Sequence, residues 1–205
     1  MKSFLLSCAL LSALCASGQK ISPETKSPVT FNRQVSFGPK GTVNVNEQAD
    51  AGMVRLEELT FSEGTIEVDI KGKDVLQRSF VGIAFHVQND TTYECIYFRP
   101  FNFKAADPTR RSHAVQYISL PGNDWPELRE QHPLKYEQPV TPQPDPNDWF
   151  HMTLVVKGNT VKVYVDNAAQ PSLVVDKLSR FRTGKVAFWV GNNSAGSWKN
   201  LEIKP

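Results

Sequence analysis

Trp149-Phe-His-Met-Thr-Leu-Val-Val-Lys-Gly-Asn-Thr-Val-Lys-Val-Tyr-Val-Asp166 pairs with itself. With Gly158-Asn159 as a two-residue hairpin turn, Val156 opposes Val161, Leu154 opposes Val163 and Met152 opposes Val165. Directly opposed residues share a face, so one side of the hairpin is wholly apolar. The other side receives Val155/Lys162, Thr153/Tyr164 and His151/Asp166, the last with ion-pair geometry. A turn one residue longer would set Val156 against Thr160 and spoil the match. The stretch therefore predicts a half-buried antiparallel hairpin.

The same alternation recurs along the chain. Thr65–Lys71 places Ile66, Val68 and Ile70 on one face and charges on the other, between Gly64 and Gly72. Phe80–Val87 is apolar on both faces, as a central strand is. Tyr93–Arg99, His113–Leu120, Lys185–Gly191 and the Leu201/Ile203 segment read as further strands, and Val29–Phe37 as a weaker first one. Helical periodicity is confined to a turn or two within Ala49–Leu59 and Asp176–Phe181. Many strands with few helices predict an all-β sandwich or barrel. Nine of the fourteen prolines fall between Pro100 and Pro146, so this region cannot be continuous sheet. Apart from the His113 strand it reads as a long Pro-rich loop, with Thr141–Pro146 extended.

The 205 residues suit one domain. Lys2, the apolar run Phe4–Cys15 and the small residues Ala16-Ser17-Gly18 predict a signal peptide over 1–18, too short to span a bilayer. Residues 19–41 then form a lead-in with a first strand, and 42–205 the sandwich. The expected location is secreted or periplasmic. Leu14 stands where a lipoprotein would carry a small residue, so a lipid anchor on Cys15 is the lesser alternative. Loss of Cys8 and Cys15 with the leader leaves Cys95 alone, which excludes an internal disulfide and a multi-thiolate zinc site. A net charge of +2 with scattered basic residues argues against nucleic acid as a partner, and no second apolar run suggests a membrane span.

Three groups of residues resemble a known family. Gly64–Ile70, the Trp149–Asp166 hairpin, and Gly184-Lys-Val-Ala-Phe-Trp-Val-Gly191 followed by Trp198–Ile203 are similar to concanavalin A-like, laminin-G-like jelly rolls. Tyr97-Phe-Arg-Pro-Phe-Asn102 and Arg110–Tyr117 resemble the secreted bacterial 3-keto-disaccharide hydrolase-like group. The resemblance covers roughly Thr42 to Ile203. It implies two antiparallel sheets, one with a concave face on which glycans lie. Members of such a superfamily bind sugars, cleave them or do neither.

Within that frame, Gly82, Ala84 and His86 on one strand, Tyr93, Cys95, Tyr97 and Arg99 on the next, and Ala187 and Trp189 on a third describe a face of small residues beside large rings. Aromatic rings stack on sugar C–H surfaces, and Arg or His bonds hydroxyls. The expected ligand-binding set is therefore His86, Tyr97, Arg99, His113, Tyr117, Trp125 and Trp189, with Tyr136 as a second residue that closes from the loop. The partner class is an oligosaccharide or polysaccharide.

Catalysis is less legible. Bacterial β-glucanases of this fold carry Glu-x-Asp-x-x-Glu on a strand. Glu67-Val-Asp69 continues here as Ile70-Lys71-Gly72-Lys73, so the second carboxylate that a retaining mechanism needs is missing. Glu67 and Asp69 then read as a solvated strand face. Glu94 and His113, the latter oriented by Asp107 or Glu94, are the remaining catalytic candidates, with Asp124, Glu127 and Glu130 nearby in the loop region. No metal motif occurs; Asp166-Asn167 reads first as a turn, and as a structural calcium pair only by family analogy. Two alternatives to a sugar-binding domain stay open: a glycosidic-bond hydrolase, and a non-catalytic envelope or adhesion module that recognises protein.

Overall fold

A computed structural model describes residues 18–205 of the chain. The proposed leader lies outside the described residues, apart from Gly18. The fold is an all-β sandwich of two antiparallel sheets, a jelly roll. The eight-stranded sheet runs in the order β13 (Leu173–Asp176), β12 (Thr160–Val165), β11 (Trp149–Lys157), β6 (Gly64–Lys71), β15 (Gly196–Lys204), β4 (Thr42–Val45), β3 (Val35–Gly38); β1 (Gln19–Lys20) also pairs with β15. The seven-stranded sheet runs β10 (Glu137–Gln138), β9 (Val115–Leu120), β8 (Thr92–Phe98), β7 (Val81–Asn89), β14 (Gly184–Val190), β5 (Gly52–Phe61), β2 (Pro28–Phe31).

The hairpin forms in the register its sequence demands: Met152↔Val165, Leu154↔Val163 and Val156↔Val161. Gly158 takes φ 58°, the positive value that the first position of a type II′ turn requires. The apolar face of the hairpin continues into Ile66, Val68 and Ile70 of β6 through Leu154↔Ile66, Met152↔Val68 and Phe150↔Ile70. All of these side chains are buried. They meet the inner face of the opposing sheet through ring contacts. Phe98 stands 4.9 Å from Phe150, and Phe188 lies 5.3 Å from Trp198, centroid to centroid. Burial of each large side chain contributes roughly 1.5–3 kcal/mol, and this inter-layer seam is the core.

Four local expectations change. Val29–Phe37 is two strands in different sheets, β2 and β3, separated by a turn in which Asn32 has φ 49°. Ala49–Leu59 is not helical; it supplies β5, whose Val54 and Leu56 enter the core. Asp176–Phe181 is the end of β13 followed by irregular chain. His151 pairs through its ring with Asp69 across β6 at 2.8 Å, while Asp166 Oδ1 accepts the backbone N–H of His151. Glu67, on the same outer face of the eight-stranded sheet as Asp69, takes Lys204 at 2.7 Å.

Between β8 and β11 the Pro-rich region is more ordered than a loop. It contains three short helices, α1 (Pro100–Phe103), α2 (Pro108–Arg111) and α3 (Trp125–Gln131), each with proline in its first turn, where the missing N–H costs no hydrogen bond. Asp107 and Asp124 cap α2 and α3, accepting the N–H of Thr109 and of Trp125 respectively. These helices lie beside the outer face of the seven-stranded sheet and build the walls of the site described next.

Candidate functional site

A single row of cross-strand neighbours traverses that outer face: Phe31, Met53, Trp189, Gly82, Tyr97, Gln116 and Glu137. It is the outer face because the alternate residues, Phe188 among them, point at the other sheet. Gly82 sits between the two rings of the row. A Cβ there would run into the Ile96 carbonyl oxygen and the Tyr97 backbone. Without it, Tyr97 and Trp189 approach to 5.0 Å between centroids at a 34° tilt. The small residues therefore do not leave an open trough, as the sequence suggests; large neighbours fill the space. Trp189 is only 6 % exposed, and its indole N–H donates to the Tyr93 hydroxyl at 3.1 Å.

The room lies above this recessed aromatic floor. A cleft of about 1000 Å³ is bounded by Tyr97, Trp189, Phe80 and Phe101 below and by Trp125, Arg129, Arg110 and His113 at the sides. Trp125 is 41 % exposed at the rim, with the Arg129 guanidinium stacked 4.9 Å above its ring. Arg99 is buried against the floor, its guanidinium carbon 4.9 Å from the Tyr97 centroid. It donates to the His113 carbonyl at 2.9 Å and to the Tyr97 hydroxyl at 2.8 Å.

Glu137 anchors the charged end. Its side chain is 2 % exposed. Its two oxygens accept from Nε and Nη2 of Arg129 at 2.7 and 2.6 Å, a bidentate pair. His113 Nδ1 lies 2.9 Å from Glu137 Oε2 but off the line of a good hydrogen bond, so this buried nitrogen has no well-aligned partner. Burial holds the His113 imidazole below its ordinary pKa; Glu137 opposes the shift, and Arg129 and Arg99 add to it. Asp124, also on the cleft wall, is pushed up by burial, against the Trp125 N–H that stabilises its charged form.

Of the sequence-derived ligand set, Tyr97, Arg99, His113, Trp125 and Trp189 line this cleft together. His86 and Tyr117 do not. The register of β7 shifts between Phe85 and Asn89 against β8, and His86 sits in that bulge with φ 48°. The extra residues turn its ring away from the Gly82/Ala84 face. It meets Glu94 at 2.8 Å through Nδ1 and the Ser62 carbonyl at 2.7 Å through Nε2. Tyr117 pairs with Ile96 on the inner face, and its hydroxyl donates to Glu94 at 2.5 Å. Lys177 Nζ completes the group, 3.4 Å from Glu94. Glu94 is thus buried between the sheets and faces no cleft, which removes it as a catalytic candidate, and neither it nor Asp107 orients His113. Tyr136 is buried beside Tyr117 rather than closed over the site.

Cys95 is buried, and burial drives its thiol well above the usual range. Asp166 and Asn167 both take positive φ in a turn, and among the described residues no group of three or more His, Cys, Asp or Glu side chains forms a metal-binding cluster.

Residues 25–204 match the family described as the 3-keto-alpha-glucoside-1,2-lyase-like domain. The chain belongs to this family. No curated protein matches it significantly. Among solved structures, the chain is similar to a carbohydrate binding module, CBM66, from Bacillus subtilis, with 15 % identity, TM-score 0.64, and 87 % of this chain and 96 % of that one covered. It is also similar to a beta-glucanase from Bacillus licheniformis, with 16 % identity, TM-score 0.56 and coverage of 95 % and 94 %. A third is a putative glycosyl hydrolase from Parabacteroides distasonis, with 14 % identity, TM-score 0.51 and coverage of 85 % and 83 %. At these identities the likeness establishes the jelly-roll fold. Among the described residues no helix is long and apolar enough to cross a membrane.

Proposed function

We propose that the protein binds a glycan in the cleft above Trp189, as an exported carbohydrate-associated module. The observation that carries this reading is the cleft itself. It has about 1000 Å³ of space, a floor of Tyr97 and Trp189, an exposed Trp125 at the rim, and planar donors in Arg99, Arg110 and Arg129. A flat, filled sheet would favour protein recognition instead. Trp125 and the partly exposed Phe80 supply apolar area for the faces of sugar rings above the buried floor, and guanidinium groups supply paired donors for their oxygens. Binding of a glycan panel to the protein tests the reading, and the absence of any binding would reject it. Trp125→Ala is the informative variant, because the ring stands at the rim and is 41 % exposed. Loss of one stacking partner should weaken binding about tenfold, the factor corresponding to about 1.4 kcal/mol, with a drop of only a few degrees in melting temperature from the lost Arg129 contact.

A second reading, cleavage of a glycosidic bond, is favoured by one specific observation: a partly buried imidazole beside a buried carboxylate on the cleft wall. Glu137 cannot serve as a nucleophile while Arg129 holds both its oxygens, so the chemistry would rest on proton transfer by His113. A neutral imidazole accepts a proton from a water as that water's oxygen bonds to the anomeric carbon, Glu137 stabilises the imidazolium that forms, and the imidazolium returns the proton to the departing glycosidic oxygen as its C–O bond breaks. Because burial lowers the His113 pKa, the neutral form dominates above pH 6.5. Activity should therefore be flat at neutral pH and fall through an acid limb placed below 6.5, the ordinary histidine value. His113→Ala should reduce turnover of a cleaved glycoside by about 10²-fold or more while binding persists. An unchanged rate would remove His113 from the chemistry.

A further inference from the structure

The cleft holds more positive charge than its carboxylates compensate. Arg78, Arg99, Arg110 and Arg129 line it, against Asp50 and Asp124. Two of the arginines have dedicated partners: Arg78 is paired with Glu47, and Arg129 holds both oxygens of Glu137. The other two do not. Arg99 comes within 3.8 Å of Glu137 Oε2 only, an oxygen that Arg129 already occupies at 2.6 Å. Arg110 makes no ion pair; its Nε donates to Asn102 Oδ1 at 3.2 Å and its Nη2 to the Phe101 carbonyl at 2.7 Å.

Neither lining aspartate makes an ion pair with Arg99 or Arg110. Asp124 spends Oδ1 on the N–H of Trp125 and attracts Arg99 only from a distance, without a contact. Asp50 acts on Arg33, opposing the effect of burial on that guanidinium. Arg99 and Arg110 are also neighbours. The Arg99 guanidinium and the Asn102 amide both donate to the His113 carbonyl, at 2.9 and 3.4 Å, and Asn102 in turn accepts from Arg110. A buried guanidinium without a full counter-ion is costly, and an anion delivered from outside relieves that cost.

We propose that the glycan bound in this cleft is acidic, with a carboxylate or sulfate group seated between Arg99 and Arg110. The inference rests on the glycan reading and narrows it to anionic carbohydrate. Neutral hydroxyls satisfy hydrogen bonds but leave the excess charge in place. An oxyanion satisfies both and matches the planar fork of a guanidinium.

The test compares maltotriose and cellotriose with trigalacturonic acid and an O-sulfated chondroitin disaccharide by calorimetry. Inorganic sulfate is titrated separately while the arginine Nε–Hε resonances are followed by NMR. The acidic probes should bind at least about tenfold more tightly than the neutral ones, and their affinity should fall severalfold between about 0.05 and 0.5 M NaCl as screening shortens. Preference for trigalacturonic acid would identify a carboxylate as the ligand group; preference for the chondroitin disaccharide, which carries a uronate carboxylate besides its sulfate, would identify a sulfate when the same disaccharide without its sulfate binds more weakly. Arg110→Gln, on the half-exposed helix α2, should remove most of the charge preference, lowering the affinity for the acidic probes far more than that for the neutral sugars. Neutral sugars binding as tightly as acidic ones would overturn the acidic assignment while the glycan reading stood. Sulfate shifts at Arg99 and Arg110 without binding of any sugar would keep an anion site and reject the glycan reading. No sulfate shift and no sugar binding would reject both.

Discussion

Replacing Glu94 with alanine should cost about 3–5 kcal/mol of folding stability, the range for a buried charge stripped of its partner. The carboxylate holds His86 Nδ1 at 2.8 Å, the Tyr117 hydroxyl at 2.5 Å and Lys177 Nζ at 3.4 Å. The side chains of His86, Glu94 and Lys177 are all within 1 % of full burial, so no solvent replaces the lost oxygens. Lys177 would be left between the sheets with only the Phe181 carbonyl as a partner, at 3.0 Å. For a domain of this size each kcal/mol moves the melting point by about 2–4 °C, so a drop of about 10 °C is the expected readout in thermal unfolding. Glu94→Gln should fall between the variant and the parent, because an amide keeps the volume and some hydrogen bonding but not the charge. Ligand affinity of the folded Glu94 variant should equal that of the parent, since the residue lies on the inner face. A stable variant with abolished binding would mean that Glu94 reaches the ligand after all.

Glu137→Ala should cost less, about 2–3 kcal/mol, although it removes a carboxylate from two arginines and a histidine. The difference is solvent. Arg129 is 35 % exposed at its side chain and can turn outward, whereas Lys177 cannot. A more specific consequence falls on His113. Glu137 is what raises the His113 pKa against burial and the two neighbouring arginines. Its removal lowers that pKa further, so the imidazole stays neutral to more acid pH. The sign for stability follows directly. A histidine whose folded pKa is depressed favours the fold while it is neutral, so His113 stabilises above its unfolded value and loses that contribution as pH falls. The His113 ring resonances, followed from pH 8 to 4, should titrate at lower pH in the variant than in the parent. An upward move would contradict the assigned roles of Glu137, Arg99 and Arg129.

The hairpin at 149–166 carries its register in its own residues, because period-two alternation and a Gly-Asn turn leave one consistent pairing. The same holds for Gly64–Lys71 and for Lys185–Gly191. Ala49–Leu59 misleads because Arg55, Glu57, Glu58 and Leu59 are helix-compatible, whereas pairing with β14 and β2 decides the outcome. Tertiary context overrides propensity there. The cleft was legible through Tyr97, Arg99, His113, Trp125 and Trp189, which cluster once adjacent strands are aligned. His86 was not, because a bulge reverses its side and nothing in Phe85-His86-Val87-Gln88 marks one; the usual glycine is absent. Glu137 was also missed. It stands on a two-residue strand between Pro133 and Pro139, and its partner Arg129 lies eight residues upstream on α3. The one available cue is the short Tyr136-Glu137-Gln138 run, a strand-compatible island among prolines.

Strand β1 pairs with β15 through Gln19↔Ile203 and Lys20↔Glu202, so the first and last strands among the described residues lie side by side on the layer remote from the cleft. A tether attached beside this seam would leave the cleft facing away from its support, which suits surface immobilisation for binding measurements. The same adjacency suits circular permutation, with a short linker across the 19/203 seam and fresh ends opened at the exposed Gly158-Asn159 turn.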